Sequence, residues 1–272
     1  MQSVTCQTRP LSASGFGAEA VFAGGPADPV RVREVAMASG VALVRNCAFT
    51  EDDFRAFVGR MGAKVSYEDD DAAVGYGFTD ILHLDGSPDA DKVVTGRGGL
   101  PLHTDGVLLG TQVDLIILYA AELGNLGEHG ATIVCDQLAA WRAMPVDLRA
   151  VIDAGTLEYR ALERGYFTTT PDGWYEIPTV RDYGRVRSLN LALPFAPGGP
   201  ASWDVRVPGV TATESAAYFG RLADYLSGAD YLYAHVWQQG DLLVVDNQRT
   251  LHGRRGLASD STRKLLRGQV TI

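Results

Sequence analysis

Five histidines occur in the sequence, at positions 83, 103, 129, 235 and 252, and two of them, His103 and His83, have a carboxylate two residues further on, Asp105 and Asp85. Residues i and i+2 of extended backbone point to the same side, so His103 and Asp105 can offer an imidazole nitrogen and a carboxylate oxygen to one ion. His-x-Asp alone is a common pattern and in isolation reads as a surface turn. A third ligand has to come from elsewhere. His252 is the candidate, because it follows the stretch Gly240-Asp241-Leu242-Leu243-Val244-Val245-Asp246-Asn247, a strand and turn that antiparallel pairing can lay beside the first pair. Two neutral imidazoles and one carboxylate leave three positions open on one face of an octahedral ion, as in non-haem iron oxygenases.

Arg263 lies eleven residues after His252 and Arg267 four beyond that. Strand periodicity places both on one face. An arginine facing a barrel interior needs an anion, and its planar fork suits a carboxylate such as the distal end of 2-oxoglutarate, the second fork being left for a substrate carboxylate. The competing reading is a basic edge strand that keeps the protein soluble. Thr132, at the start of the candidate strand Ala131–Val134, has a hydroxyl that could bond the same distal carboxylate, although threonine is routine in strands.

Several elements must position these groups. Gly40 precedes the apolar run Val41–Val44, which reads as a short buried strand. Thr50 and Asp53 form a capping pair for a helix with Phe54, Phe57, Val58 and Met61 on one face. Further strands are expected over Val113–Tyr119, Ser188–Leu193, Asp241–Val245 and Lys264–Ile272, a helix over Thr213–Leu226, and a helix break at Pro145. A β core with flanking helices suits a jelly roll, two facing sheets with a ligand between them. No period of 20 to 50 residues repeats, and the length of 272 residues suits one domain over 1–272.

Composition narrows the partners. A hydrophobic fraction of 46% supports a large core, while a net charge of -9 and the lack of any Lys/Arg-rich run argue against nucleic acid and anionic membranes. Cys6, Cys47 and Cys135 are odd in number and widely spaced, and read as buried, reduced thiols. No apolar run reaches the roughly 18 residues of a membrane span, and the N-terminus lacks signal-peptide order. The expectation is a cytoplasmic enzyme acting on a small molecule. Glu68-Asp69-Asp70-Asp71 reads as a solvated loop, not a calcium site.

Longer motifs carry a family likeness. Val94 to Gly106 (VTGRGGLPLHTDG), Leu118-Tyr119-Ala120-Ala121-Glu122 and Asp246-Asn247 ahead of His252 resemble the TauD-like Fe(II)/2-oxoglutarate-dependent dioxygenases, and within them the carbapenem-synthase group of antibiotic-biosynthesis oxygenases. The resemblance runs from Ser14-Gly15-Phe16-Gly17 to Arg267-Gly268-Gln269. It implies Fe(II) at His103, Asp105 and His252, 2-oxoglutarate on Thr132 and Arg263, and a small β-lactam substrate near Arg267, Trp203 and Tyr67, with dioxygen as oxidant. Phe167 stands where that group's ring-inverting enzymes place a hydrogen-donating tyrosine, and Tyr166 beside it should face away if the segment is a strand. The resemblance therefore implies hydroxylation or desaturation of a carbapenam or carbapenem, with epimerisation as the alternative. Two other classes compete: a ligand-binding β-sandwich without chemistry, and a zinc hydrolase on the same three ligands. Ser261-Thr262-Arg263-Lys264 matches Ser-x-x-Lys but lacks the partner motifs of penicillin-binding enzymes.

Overall fold

Alternation along one strand lays out the layers of the protein. In Leu115–Gly124, the side chains of Ile116, Leu118 and Ala120 enter one apolar cluster and those of Leu115, Ile117 and Tyr119 another, so the strand is buried on both faces. The computed structural model describes residues 5–65, 80–86 and 92–272. Among these, the large sheet runs in the order Thr5–Pro10, Ala18–Ala23, Val41–Val44, Leu242–Asp246, Leu115–Gly124, Thr262–Thr271 and Ala63–Lys64, with Leu82–Leu84 also paired to Thr262–Thr271. Its centre is built from Val, Ile and Leu, the residues that fit a pleated surface covered on both sides.

The helices Pro29–Ser39 and Glu51–Met61 cover the outer face. Thr50 and Asp53 form the expected capping box, and Phe54, Phe57, Val58 and Met61 are buried, each removal from water being worth about 1.5–3 kcal/mol. Gly268 lies where that helix crosses the Thr262–Thr271 strand, and a Cβ there would meet Val58 Cγ2 at 2.6 Å and Cγ1 at 2.8 Å. Gly268→Ala should therefore destabilise the fold by about 1–3 kcal/mol through overpacking, read as a lower urea midpoint at unchanged slope.

A second sheet faces the first in the order Leu232–His235, Thr132–Asp136, Thr250–Arg254 and Leu100–His103. Val134 points into the cluster between the sheets, while Leu102, Cys135 and Leu251 point to a third cluster on the far side. That far side is closed by the helices Gln137–Arg142, Val146–Asp153 and Ala212–Leu226 and by a small sheet of Tyr175–Pro178, Thr156–Ala161 and Trp203–Arg206. A final two-stranded ribbon pairs Val180–Asp182 with Arg187–Leu189. The molecule is mainly β with flanking helices, the jelly-roll class expected.

Details differ from expectation. The Ser188–Leu193 strand stops at Leu189, and only Ala192 makes a further bridge, to His103. The Leu115–Gly124 strand begins two residues later than expected and runs five further. Pro145 does separate two helices, as the cap of the second. Of the cysteines, Cys135 is buried but Cys6 and Cys47 are only partly so. Glu68 to Asp71 and Tyr67 lie outside the described residues. Among those described, no helix is long and apolar enough to cross a membrane.

Candidate active site

Register brings the two histidines together. Thr250–Arg254 pairs antiparallel with Leu100–His103 so that His252 sits opposite His103, and since Leu102 and Leu251 face outward, both imidazoles face the space between the sheets. Their ring centroids are 4.2 Å apart. Asp105 reaches them differently than expected: the strand ends at His103, and Asp105 begins a turn. Its Oδ1 still lies 3.3 Å from His103 Nε2 and 3.6 Å from His252 Nε2. One ligand atom from each of the three falls within 4.8 Å of the others.

The turn is held rigidly. Asn247 accepts from the Asp105 N–H at 2.9 Å and donates to the carbonyls of Asp105 at 3.1 Å and Val113 at 2.8 Å. Gly106 has φ +86°, and a Cβ would stand 2.1 Å from the Thr111 carbonyl, so only glycine fits. Asn247→Ala frees the Asp105 backbone while leaving all three ligands in the chain. The expected result is a 10- to 100-fold loss of iron affinity by equilibrium dialysis, about the usual cost of removing a group that orients a ligand.

Each of the three candidate ligands is set up to meet a cation. His103 Nδ1 donates to the Pro101 carbonyl at 2.8 Å, which leaves the Nε2 lone pair toward the centre. Burial, then the His103 ring, presses His252 down to about 3, so it is a neutral imidazole. Burial would raise Asp105, but the Arg267 guanidinium and the two imidazoles outweigh it and hold the carboxyl well below its ordinary range. Arg267 Nη2 donates to Asp105 Oδ2 at 2.5 Å and Gln269 Nε2 to the same oxygen at 2.8 Å, so Oδ1 faces the centre while Oδ2 is occupied.

Arg263 lies on the same face of the Thr262–Thr271 strand as Leu265, Arg267 and Gln269, and all four line one pocket with His103, Asp105 and His252. The shared face survives a register shift between Lys264 and Leu265. Arg263 donates one bond, from Nη1 to the Gly130 carbonyl at 2.7 Å, while its buried Nε and Nη2 have no protein partner. Burial, then Arg254, lowers its pKa to about 9. A buried fork with two donors unmet is the counterpart of a carboxylate. Thr132 also borders the pocket, its Oγ1 accepting from Trp237 Nε1 at 3.2 Å.

The pocket encloses about 890 Å³ of atom-free space, its mouth included. Trp203 packs 5.6 Å from His103 between ring centroids and spends its indole N–H on the Leu193 carbonyl at 2.9 Å. Tyr166 and Phe167 both wall the pocket, contrary to the expectation that they face opposite ways, because the chain there is a turn. Arg267, expected to meet a substrate carboxylate, instead holds the Asp105 carboxylate and donates to the Tyr166 hydroxyl at 3.4 Å.

Several supporting groups escaped sequence reasoning. Buried Arg254 bonds the carbonyls of Val93, Val94 and Gly98, and Glu163 accepts from the N–H groups of Val93 and Val94. Nothing local signals these long-range pairs. Gln269 had one signal, its i+2 spacing from Arg267. Of the other histidines, His83 pairs with Glu51, His129 is exposed, and His235 is buried 3.0 Å from Asp241.

Comparison with known proteins places this geometry in context. Residues 7–269 match the family described as taurine catabolism dioxygenase TauD, TfdA family. The chain is similar to 3-((Z)-2-isocyanoethenyl)-1H-indole synthase of Fischerella ambigua, 22% identical over 200 residues that cover 72% of this chain and 71% of that one. It is also similar to the alpha-ketoglutarate-dependent 2,4-dichlorophenoxyacetate dioxygenase of Cupriavidus pinatubonensis, 28% identical over 197 residues, 68% of this chain and 64% of the relative. Among solved structures, PvcB of Pseudomonas aeruginosa superposes with a TM-score of 0.71 at 18% identity over 99% of this chain and 92% of that one. AAD-2, solved with Mn(II) and N-oxalylglycine, gives 0.67 at 20% identity over 98% and 97%. None of these four is a carbapenem enzyme.

Proposed function

As a member of the taurine catabolism dioxygenase TauD, TfdA family, this chain is an iron- and alpha-ketoglutarate-dependent dioxygenase, and we propose that His103, Asp105 and His252 hold Fe(II) while Arg263 and Thr132 hold the distal carboxylate of 2-oxoglutarate. The observation that carries this assignment is the meeting in one pocket of three converging ligand atoms, a set that suits a cation, and a buried guanidinium whose Nε and Nη2 have no protein partner, a fork that suits a carboxylate. Held by these residues, iron(II) with 2-oxoglutarate and dioxygen would supply the chemistry for oxidising a substrate C–H bond, with 2-oxoglutarate converted to succinate and carbon dioxide. The residues of the chain orient the two and exclude water. Leu118 and Leu265 line the pocket beside them and supply a dry wall. Trp203 and Phe167 confine the substrate.

The reaction class that fits is hydroxylation or desaturation of a small molecule. 2,4-Dichlorophenoxyacetate and (S)-phenoxypropionate, named for two relatives, carry aryl groups, which suit aromatic walls. A carbapenam or carbapenem in antibiotic biosynthesis is the finer reading that the sequence motifs suggest. It asks Arg267 to bind the substrate's carboxylate, and the hold of Arg267 on Asp105 weighs against it. The test is anaerobic addition of Fe(II) and 2-oxoglutarate to the protein. A weak visible charge-transfer band, followed by oxygen-dependent succinate formation, is expected; its absence with iron confirmed in the protein would overturn the assignment.

A further inference from the structure

Four consecutive side chains at the turn from Leu242–Asp246 into Thr250–Arg254 leave in different directions. Asn247 holds the Asp105 backbone, as described above. Gln248 donates to the Asp114 carboxylate, and Arg249 Nη1 donates to the carbonyls of Met37 at 2.8 Å and Ala38 at 2.7 Å, at the end of the helix Pro29–Ser39. Asp246 is fully buried and accepts a two-pronged bond from Arg185, Nη1 to Oδ2 and Nη2 to Oδ1, both at 2.9 Å. The same Nη2 donates to Gln248 Oε1 at 2.9 Å, and Asp246 Oδ1 accepts from the N–H groups of Gln248 at 3.1 Å and Arg249 at 3.3 Å. One guanidinium therefore braces the residues on both sides of Asn247.

Arg185 comes from outside both facing sheets. It sits in the turn of the ribbon that pairs Val180–Asp182 with Arg187–Leu189. The chain leaving that ribbon runs beside the candidate ligand His103: the Thr104 N–H donates to the Leu191 carbonyl at 2.8 Å, the Leu193 N–H donates to the Leu102 carbonyl at 3.0 Å, and Ala192 bridges to His103 itself. One segment, 180–193, thus meets the flanks of His103 with its end and the turn that clamps Asp105 with its tip. A planar fork on a carboxylate fixes direction as well as distance, and a clamp on a ligand backbone needs both. The plainer alternative, a pair that only fastens the ribbon to the barrel, predicts no effect on the metal centre beyond general loosening.

We propose that Arg185 is a positioning residue for the metal centre, acting through Asp246 and Asn247 to hold Asp105 against the two imidazoles. The proposal rests on the iron assignment above, and its test separates the two. Arg185→Lys keeps a cation against Asp246 but loses the flat fork, and Arg185→Gln removes the charge. In the metal-free whole chain, both should speed amide hydrogen exchange at Asp105 and Asn247 by about ten-fold or more, while the Glu51–Met61 helix keeps its wild-type rates. By equilibrium dialysis, both should weaken iron binding by about ten-fold, the low end of the usual cost of losing a group that orients a ligand. On an Asn247→Ala background the same changes should weaken it no further, because the route to Asp105 is already cut. Arg185→Lys alone decides if Arg185→Gln fails to fold. An equal loss on both backgrounds, unchanged iron affinity, or exchange that quickens uniformly across the protein would overturn the proposal. A wild type that takes up no iron would cost the metal assignment alone, since exchange in the metal-free protein still decides what Arg185 holds.

Discussion

His103→Ala, Asp105→Ala and His252→Ala should each abolish the charge-transfer band and lower 2-oxoglutarate turnover by more than about a hundred-fold, beyond what losing a merely orienting group costs. They should differ in stability. His103→Ala and His252→Ala each remove one imidazole and leave the Asp105–Arg267 pair intact. Asp105→Ala takes a paired carboxylate away from Arg267, whose guanidinium is about one-tenth exposed. Breaking a buried pair from one side typically costs about 3–5 kcal/mol. Removing both partners, Asp105→Ala with Arg267→Leu, should recover most of that stability and none of the metal binding. Denaturant midpoints and iron dialysis on the same four proteins check this. Equal stabilities for the three single variants would mean that the Arg267 contact carries little weight.

Arg263→Leu should act in opposite directions on the empty and the loaded enzyme. In wild type, the guanidinium is buried with two of its nitrogens unmet, so a hydrophobic replacement of similar reach relieves desolvation. The melting temperature without ligands should hold steady or rise by a few degrees. With Fe(II) and 2-oxoglutarate present, wild type should gain stability by mass action and the variant should not. Charge-assisted hydrogen bonds are worth about 1.5–3 kcal/mol, so the KM for 2-oxoglutarate should rise about ten- to a hundred-fold, with Arg263→Lys recovering only part because an ammonium lacks the flat fork. Unchanged KM in Arg263→Leu would move the co-substrate elsewhere in the pocket.

What could be read before folding followed what is local. The Thr50–Asp53 cap, the buried face of Phe54, Phe57, Val58 and Met61, and the Val41–Val44 run depend on neighbours a few residues away, and each is where the periodicity put it. The shared face of Arg263 and Arg267 is likewise a property of one strand. Of the pairings across more than a hundred residues, the meeting of His252 with His103 was legible and the supporting ones were not. Asn247 clamping Asp105, Gln269 joining Arg267 on Oδ2, and Arg254 gripping Val93 and Val94 depend on which strands become neighbours. The same gap explains Arg267. Its side of the strand was evident, but its anion proved to be a metal-ligand carboxylate that only the tertiary fold brings near. Tyr166 went astray for a local reason: the i, i+1 rule presumes extended backbone, and the chain turns there.

The carboxylate of Asp105 belongs to the smaller sheet's loop, while the two groups that hold its outer oxygen, Arg267 and Gln269, belong to the larger sheet. With the metal held as proposed, the coordination sphere would be a rivet through both walls of the barrel, and a metal that favours one spacing would draw the walls to it. Loading the centre should slow amide hydrogen exchange along Thr262–Thr271 as well as along Thr250–Arg254, although only the second strand contributes a ligand. Breathing of the barrel and release of the ion then become a single event, so that a substitution loosening the seam between the walls, remote from any ligand, would leak metal before it lost its fold.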